Sequence, residues 1–214
     1  MVIIGAKGFA KEVLQIFHQN NQIENLCFFD DVNSYENTLL FEKYKILQNF
    51  EEVKNIFIDN PKFVLGIGNP KNRSVITKNF TSIGGVLCSA ISPFANIGNY
   101  NNIIESGVNI MTGTVITNDV SIKQGALLNL NCTVGHDSYI GQYAEICPGV
   151  HISGNVKIGD FSFIGTGAVV LPNIQIGKNV IVGAGAVVTK NIADNTMVVG
   201  SPAKIIKELK PLTF

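Results

Sequence analysis

Two adjacent residues, His136 and Asp137, carry the chemistry that this sequence offers most plainly. An imidazole titrates near neutrality and can take a proton from an attacking group, while a neighbouring carboxylate orients the ring and favours the imidazolium that forms. They close the stretch Asn129-Leu130-Asn131-Cys132-Thr133-Val134-Gly135-His136-Asp137. The other histidines offer less. His18 lies in a segment of helical spacing, and His151 stands fifteen residues beyond His136, out of register with it. Cys132 falls where small core residues recur, and Cys147 has no partner recognisable from spacing. No C-x-x-C or zinc spacing joins Cys27, Cys88, Cys132 and Cys147, so no metal site is expected.

The element that must position His136 runs from Ile104 to Ile192. Branched aliphatics recur at every sixth residue from Ile104 through Ile110, Ile116, Ile122, Leu128, Val134 and Ile140 to Val188, fifteen without a break. A sixfold period belongs neither to a helix nor to a single strand; it is the hexapeptide repeat of a parallel β-helix. Three hexads make one coil of eighteen residues, so fifteen make five coils. His136 lies two residues past the inward Val134 and is therefore not a core side chain. Residue i+18 stacks on residue i at about 4.8 Å, which puts Gly154 over His136. Gly154 is either an ordinary corner glycine or a place where a substrate can approach and a backbone N–H can meet a developing oxyanion. Ile91, Ile97 and Ile103 precede a one-residue shift into the Ile104 register, so a small insertion is expected in the first coil. Pro202 to Leu209 reads as a short C-terminal helix.

The first part of the chain has a different pattern. Val2 to Ile4 is a buried-type strand, Gly5-Ala6-Lys7-Gly8 a turn, and the residues to Asn20 a helix. Such a turn aims a helix N-terminus at a phosphate, or is simply a tight βα connection, since G-x-G-x-x-G is incomplete. Leu26 to Phe29 is a second strand, delivering Asp30-Asp31. Residues 50 to 60 are helix-like. Phe63 to Ile67 is a third apolar run, ending at Gly68-Asn69 before a helix over about Lys71 to Phe80. Alternating strands and helices predict a small parallel sheet, and all three chemical stretches fall at its C-terminal edge. The character changes near residue 88, dividing 1–88 from 89–214.

Of 214 residues, 46% are apolar and 15% charged, with a formal net charge of zero. That balance gives no basic surplus for nucleic acid. The apolar runs are too short and too broken to insert in a membrane. Met1 leads directly into a strand, and no signal peptide is expected; four cysteines without C-x-x-C or zinc spacing suit a reducing cytoplasm.

Together these motifs resemble those of the hexapeptide-repeat acyltransferases, in the branch of bacterial nucleotide-amino-sugar N-acetyltransferases and sialic acid O-acetyltransferases. Asn129 to Asp137 is the most specific match. The resemblance implies an N-terminal Rossmann-like domain and a left-handed β-helix that forms a homotrimer, with Phe161 and Phe163 as candidates for covered outer positions. It implies direct transfer from acetyl-CoA, without a metal, to the amine of a UDP-, GDP- or dTDP-linked 4-amino-4,6-dideoxy sugar, in surface glycan synthesis. His136 would be the general base, Asp137 its partner and Asn129 a further active-site residue. Gly154, Thr166, Ala184 and Gly185 would meet acetyl-CoA. Asp30 and Asp31 would face the base of the nucleotide, with Gly5, Lys7, Gly8, Gly68 and Asn69 around its phosphates and ribose. Lys7 stands where such proteins often have Gly, and Glu145 where some carry a second active-site His. O-acetylation of a sialic acid is the alternative reaction, and a structural or nucleotide-sensing protein the alternative outside catalysis. A zinc-dependent hexapeptide carbonic anhydrase needs more histidines than His136 and His151.

Overall fold

The computed structural model of the chain describes residues 1–213. In its first part, strands β1 (Val2–Ile4), β2 (Cys27–Phe29), β3 (Leu39–Leu40), β4 (Tyr44–Leu47), β5 (Lys62–Leu65) and β6 (Val86–Leu87) form one sheet, ordered β3-β4-β2-β1-β5-β6. Every adjacent pair is parallel except the β3–β4 hairpin. Helices α1 (Gly8–Gln19), α2 (Phe50–Asp59) and α3 (Pro70–Ser82) make the long connections. Alternate residues of the central strands feed two cores. Ile3, Phe28 and Val64 pack with Ala10, Val13 and Phe17 of α1, whereas Ile4, Phe29 and Leu65 pack with Val53 and Phe57 of α2 and Phe80 of α3. Burial on both faces is why these strands read as unbroken apolar runs. Strands β3 and β6, two residues each and not buried, are too short and too exposed to leave that pattern.

From Ala90 onward, short strands stack, mostly at intervals of eighteen, into sheets of eight, six and five strands that are parallel except for the last strand of the eight, the three faces of a left-handed β-helix. Ile110, Leu128, Ile146, Ile164 and Val182 follow one another in register, each fully buried. The corners need left-handed backbone, and residues that tolerate it recur there. Gly113, Asn131, Gly149, Gly167 and Gly185 form one column, and Asn101, Asp119, Asp137, Asn155 and Asn173 another, all with positive φ. Glycine lacks the Cβ that makes this region costly, and Asn and Asp visit it most readily after glycine. In the first coil, seven residues rather than six separate Ile97 from Ile104. The extra residue leaves Ile103 55% exposed while Ile104 packs on the core.

The expected C-terminal helix is instead a strand. Lys204–Glu208 pairs antiparallel with Thr196–Val199, with a bulge between Met197 and Val198, and closes the eight-stranded sheet. The last parallel strand would otherwise present an unpaired backbone, and the tail satisfies those groups as no helix could. Phe161 stacks on Tyr143 within the chain, ring centroids 5.5 Å apart, and Phe163 packs on the β-helix core. Among the described residues no helix is long and apolar enough to cross a membrane.

The Rossmann-like part rests on the eight-stranded face. The apolar cluster around α1 continues into Ala90, Met111 and Leu127 of the β-helix. Asn20 donates from Nδ2 to the Ile91 carbonyl at 3.1 Å, and Asn109 to that of Leu65 at 2.6 Å.

Candidate active site

The C-terminal ends of β1, β2 and β5 open on a cleft of about 640 Å³ whose lining includes Gly5, Lys7, Gly8, Asp30, Asp31, Gly68 and Asn69. All seven residues expected there from the sequence are thus on one surface. Gly5 is required by packing: its φ is +97°, and a Cβ would stand 2.9 Å from the Gly66 carbonyl oxygen. At Gly8 nothing lies within 4 Å of a Cβ, so protein packing does not demand glycine. What Gly8 leaves open is the first turn of α1. That helix has no side-chain cap, whereas Asn49 and Asn69 accept from the Glu52 and Asn72 amides of α2 and α3. Uncapped first-turn N–H groups and the positive end of the helix dipole give α1 an affinity for anions.

The two aspartates differ. Asp30 is 7% exposed, and its carboxylate accepts from the amides of Ala6, Val32 and Asn33, from Asn33 Nδ2, and from the Tyr35 hydroxyl at 2.6 Å. Burial pushes Asp30 up, but the bonds from Tyr35 and Asn33 outweigh it and hold the carboxyl below its ordinary value. Burial and the Asp30 carboxylate push the Tyr35 hydroxyl up in turn. Asp30 therefore ties the loop after β2 to the turn after β1, and Asp31 is the exposed carboxylate of the pair. Lys7 sits with Nζ 4.5 Å from the centre of the Tyr35 ring. Tyr35 and Asn33 escaped the sequence reading; an aromatic isolated in a polar loop was their only signal.

His136 and Asp137 form the corner between the six-stranded face, which they leave after Thr133–Val134, and the five-stranded face, which begins at Tyr139–Ile140. His136 Nδ1 lies 2.7 Å from Asp137 Oδ2, and both side chains are exposed. A Cβ on Gly154 would stand 2.5 Å from His136 Nε2, so the ring fits beneath that residue only because it is glycine. The backbone bonds flanking Gly154 run from Asn155 N to His136 O at 2.7 Å and from Ser153 N to Val170 O at 3.1 Å.

The remaining candidates lie on another corner. Asn129, Thr166, Ala184 and Gly185 stand between the eight- and six-stranded faces, across a face width from His136. Asn129 is half-buried and its Oδ1 accepts from the Leu130 amide at 2.8 Å. Thr166, Ala184 and Gly185 are exposed, and nothing lies within 4 Å of a Cβ built on Gly149, Gly167 or Gly185. This corner is a ridge of bare backbone. His151 projects from the face between the two corners, its Nδ1 3.0 Å from Thr133 Oγ1. Cys132 and Cys147 are buried, and burial pushes their thiols to about 11 and about 12, which leaves them inert core residues.

No residue beyond Phe80 lines the cleft. Within one chain, cleft and His136 corner are not brought together.

A β-helix of hexapeptide coils with an exposed His136–Asp137 pair at one corner, joined to a Rossmann-like α/β part, has the architecture of the hexapeptide-repeat transferases. Residues 1–80 match the family model described as PglD N-terminal domain, and residues 155–190 the one described as bacterial transferase hexapeptide (six repeats). WeeI from Acinetobacter baumannii AYE is 31% identical, with a TM-score of 0.88 over 96% of this chain and 98% of that one. The acetyltransferase domain of PglB from Neisseria gonorrhoeae FA1090, in complex with acetyl coenzyme A, is 30% identical, with a TM-score of 0.85 over the same shares. A perosamine N-acetyltransferase variant from Caulobacter crescentus, in complex with CoA and GDP-perosamine, is 27% identical, with a TM-score of 0.89 over 97% and 96%. The chain belongs to the hexapeptide-repeat sugar acyltransferase family.

Proposed function

We propose that the chain transfers the acetyl group of acetyl-CoA to the amine of a nucleotide-linked 4-amino-4,6-dideoxy sugar, with His136 as general base. The observation that carries this reading is the His136 ring, held at Nδ1 by Asp137 and fitted under Gly154, with a solvent-open edge. The neutral amine attacks the thioester carbonyl, its proton passes to His136 Nε2 as the C–N bond forms, and the C–S bond breaks to release the CoA thiol. No covalent enzyme intermediate is needed. Asp137 orients the ring and offsets the imidazolium charge, and the Gly154 N–H is aimed at the oxyanion.

The cleft after β1, β2 and β5 takes the nucleotide. The first turn of α1 and Lys7 meet the diphosphate, and Asp31 is left to read the base, because Asp30 is spent on its own loop. The bare ridge of Thr166, Ala184 and Gly185 takes the pantetheine arm. Cleft and base lie apart in one chain, so the reaction needs a second copy; a homotrimer of β-helices sets each cleft against a neighbour's His136. The relatives that bind acetyl coenzyme A, or CoA with GDP-perosamine, support both substrate classes.

The test is thiol release from acetyl-CoA against UDP-, GDP- and dTDP-linked 4-amino-4,6-dideoxy sugars, with free sialic acid alongside. Turnover on one nucleotide-amino-sugar is expected, and turnover on sialic acid alone overturns the reading in favour of O-acetylation. His136→Ala is expected to lose roughly 10²–10⁴-fold in kcat with little change in nucleotide-sugar affinity. Wild-type rates in that variant remove His136 from the mechanism.

A further inference from the structure

Arg73 is the largest completely buried side chain among the described residues, yet it belongs to the apolar core of neither part. It leaves the first turns of α3 and enters the β-helix. Its Nε donates to the Gly125 carbonyl at 3.0 Å, and one terminal nitrogen to those of Tyr143 and Ala144 at 2.6 and 3.0 Å. The other terminal nitrogen donates back to the Gly68 carbonyl and lies 3.4 Å from Glu145 Oε2. Glu145 is 8% exposed, and its Oε1 stands 3.2 Å from where a Cβ on Gly68 would be. Two coils below Glu145 in the same outward column, Asn109 holds the Leu65 carbonyl. One column of the β-helix thus supports the end of β5 and the loop that follows it.

That loop is a wall of the nucleotide cleft. Gly66, Ile67, Gly68 and Asn69 all line the cavity, whereas Asn109, Glu145 and Arg73 do not. Stability is a poor reason for burying such a pair, because well-packed apolar residues often serve as well or better. A guanidinium does offer a planar fork of five donors in fixed geometry. Here the fork reaches carbonyls on both sides of a domain interface, so cleft wall and β-helix have one relative position. Burial pulls Arg73 down to about 10 and Glu145 opposes it, so the side chain is charged at neutral pH.

We propose that Arg73 and Glu145 are positioning residues, which lock the Gly66–Asn69 wall, and through it the bound nucleotide-sugar, to the β-helix. The inference rests on the substrate reading above. An attacking amine must stand about 3–3.5 Å from the carbon it attacks, and a displacement of about 1 Å costs roughly 10²-fold in rate.

The decisive variant is the pair Arg73→Met with Glu145→Leu, which removes both charges and strands neither. It is expected to fold, to raise KM for the nucleotide-sugar and to lower kcat by roughly 10–100-fold, with KM for acetyl-CoA unchanged. Amide exchange over residues 66–69 is expected to quicken while β1 and the β-helix keep their protection. Arg73→Lys keeps the charge but not the fork and should lose activity like the pair. Glu145→Gln keeps an acceptor and should recover most of what Glu145→Leu loses. A folded paired variant with wild-type kinetics and wild-type exchange overturns the proposal. Exchange needs no substrate. A wild type silent on every nucleotide-amino-sugar would remove the substrate reading, and exchange would then decide the lock: faster at 66–69 supports it, unchanged overturns it.

Discussion

The His136 corner and the cleft at the ends of β1, β2 and β5 both depend on an aspartate, and the two aspartates are used in opposite ways. On the β-helix every position has copies eighteen residues away, which define what that position does by default. Asn101, Asp119, Asn155 and Asn173 share the column of Asp137, all with left-handed backbone. Their side chains bond along the column, Asn101 to Asp119 at 2.8 Å and Asn155 to Asn173 at 2.6 Å. Asp137 occupies the same kind of corner but turns its carboxylate to His136. Departure from the repeat is what marks it. The cleft has no such internal control, and Asp30, placed where a ligand-binding carboxylate would be, is fully engaged by Ala6, Asn33 and Tyr35.

Gly154 offers the sharpest way to break the comparison from the side of the repeat. Its φ lies outside the left-handed region, so Gly154→Ala strains no backbone, but the new Cβ would stand 2.5 Å from His136 Nε2. The ring must move. A fold like the wild type's is expected, with kcat lower by roughly 10²-fold, the size of effect that a base displaced by about 1 Å produces, since the backbone N–H at 154 is retained. Undiminished kcat would separate Gly154 from the chemistry and return it to the ordinary corner glycines.

Asp30→Asn tests the other side, where the expected loss is of stability. The amide can no longer accept at both oxygens, so buried donors lose their partner at a cost of about 2 kcal/mol. The sign of its pH dependence follows from the depressed carboxyl. A group whose folded value lies below its ordinary value of 3.8 stabilises fully above that value and ceases to do so as pH falls through the folded one. The difference between wild type and variant in urea unfolding should therefore shrink as pH is lowered from about 5 towards about 2. A difference independent of pH would mean that Asp30 acts by shape and not by charge.

The same contrast explains what could be read before any coordinates. A sixfold period is enforced by stacking, since each inward aliphatic must meet its copies above and below, so the β-helix and the place of Gly154 over His136 were visible in residue types alone. The cleft was visible as three stretches at one sheet edge, because parallel strands put their C-terminal ends together. Arg73, Glu145 and Tyr35 were not. Their partners lie 72, 72 and 5 residues away respectively, and the bonds depend on how α3 meets the eight-stranded face and how one polar loop folds back. The C-terminal strand was missed for a related reason: Lys204–Glu208 is extended because the sheet beside it has an open edge, and local spacing does not report a neighbour's unpaired backbone.

Asp137→Asn is the smallest of the expected effects and the one that joins both halves of the comparison. Asn is already tolerated with positive φ at 101, 155 and 173, so the backbone at 137, where φ is 58°, should accept it without loss of stability. The column gains by it as well, since a carboxylate no longer stands one coil above Asp119. What disappears is the charge facing His136 Nδ1. The pair is exposed in the single chain, and solvent weakens the attraction between such groups. The loss in kcat is accordingly expected to be about tenfold, below that of removing the base. Unchanged kcat together with unchanged thermal stability would make Asp137 a corner residue like its copies, and the base would then be His136 alone.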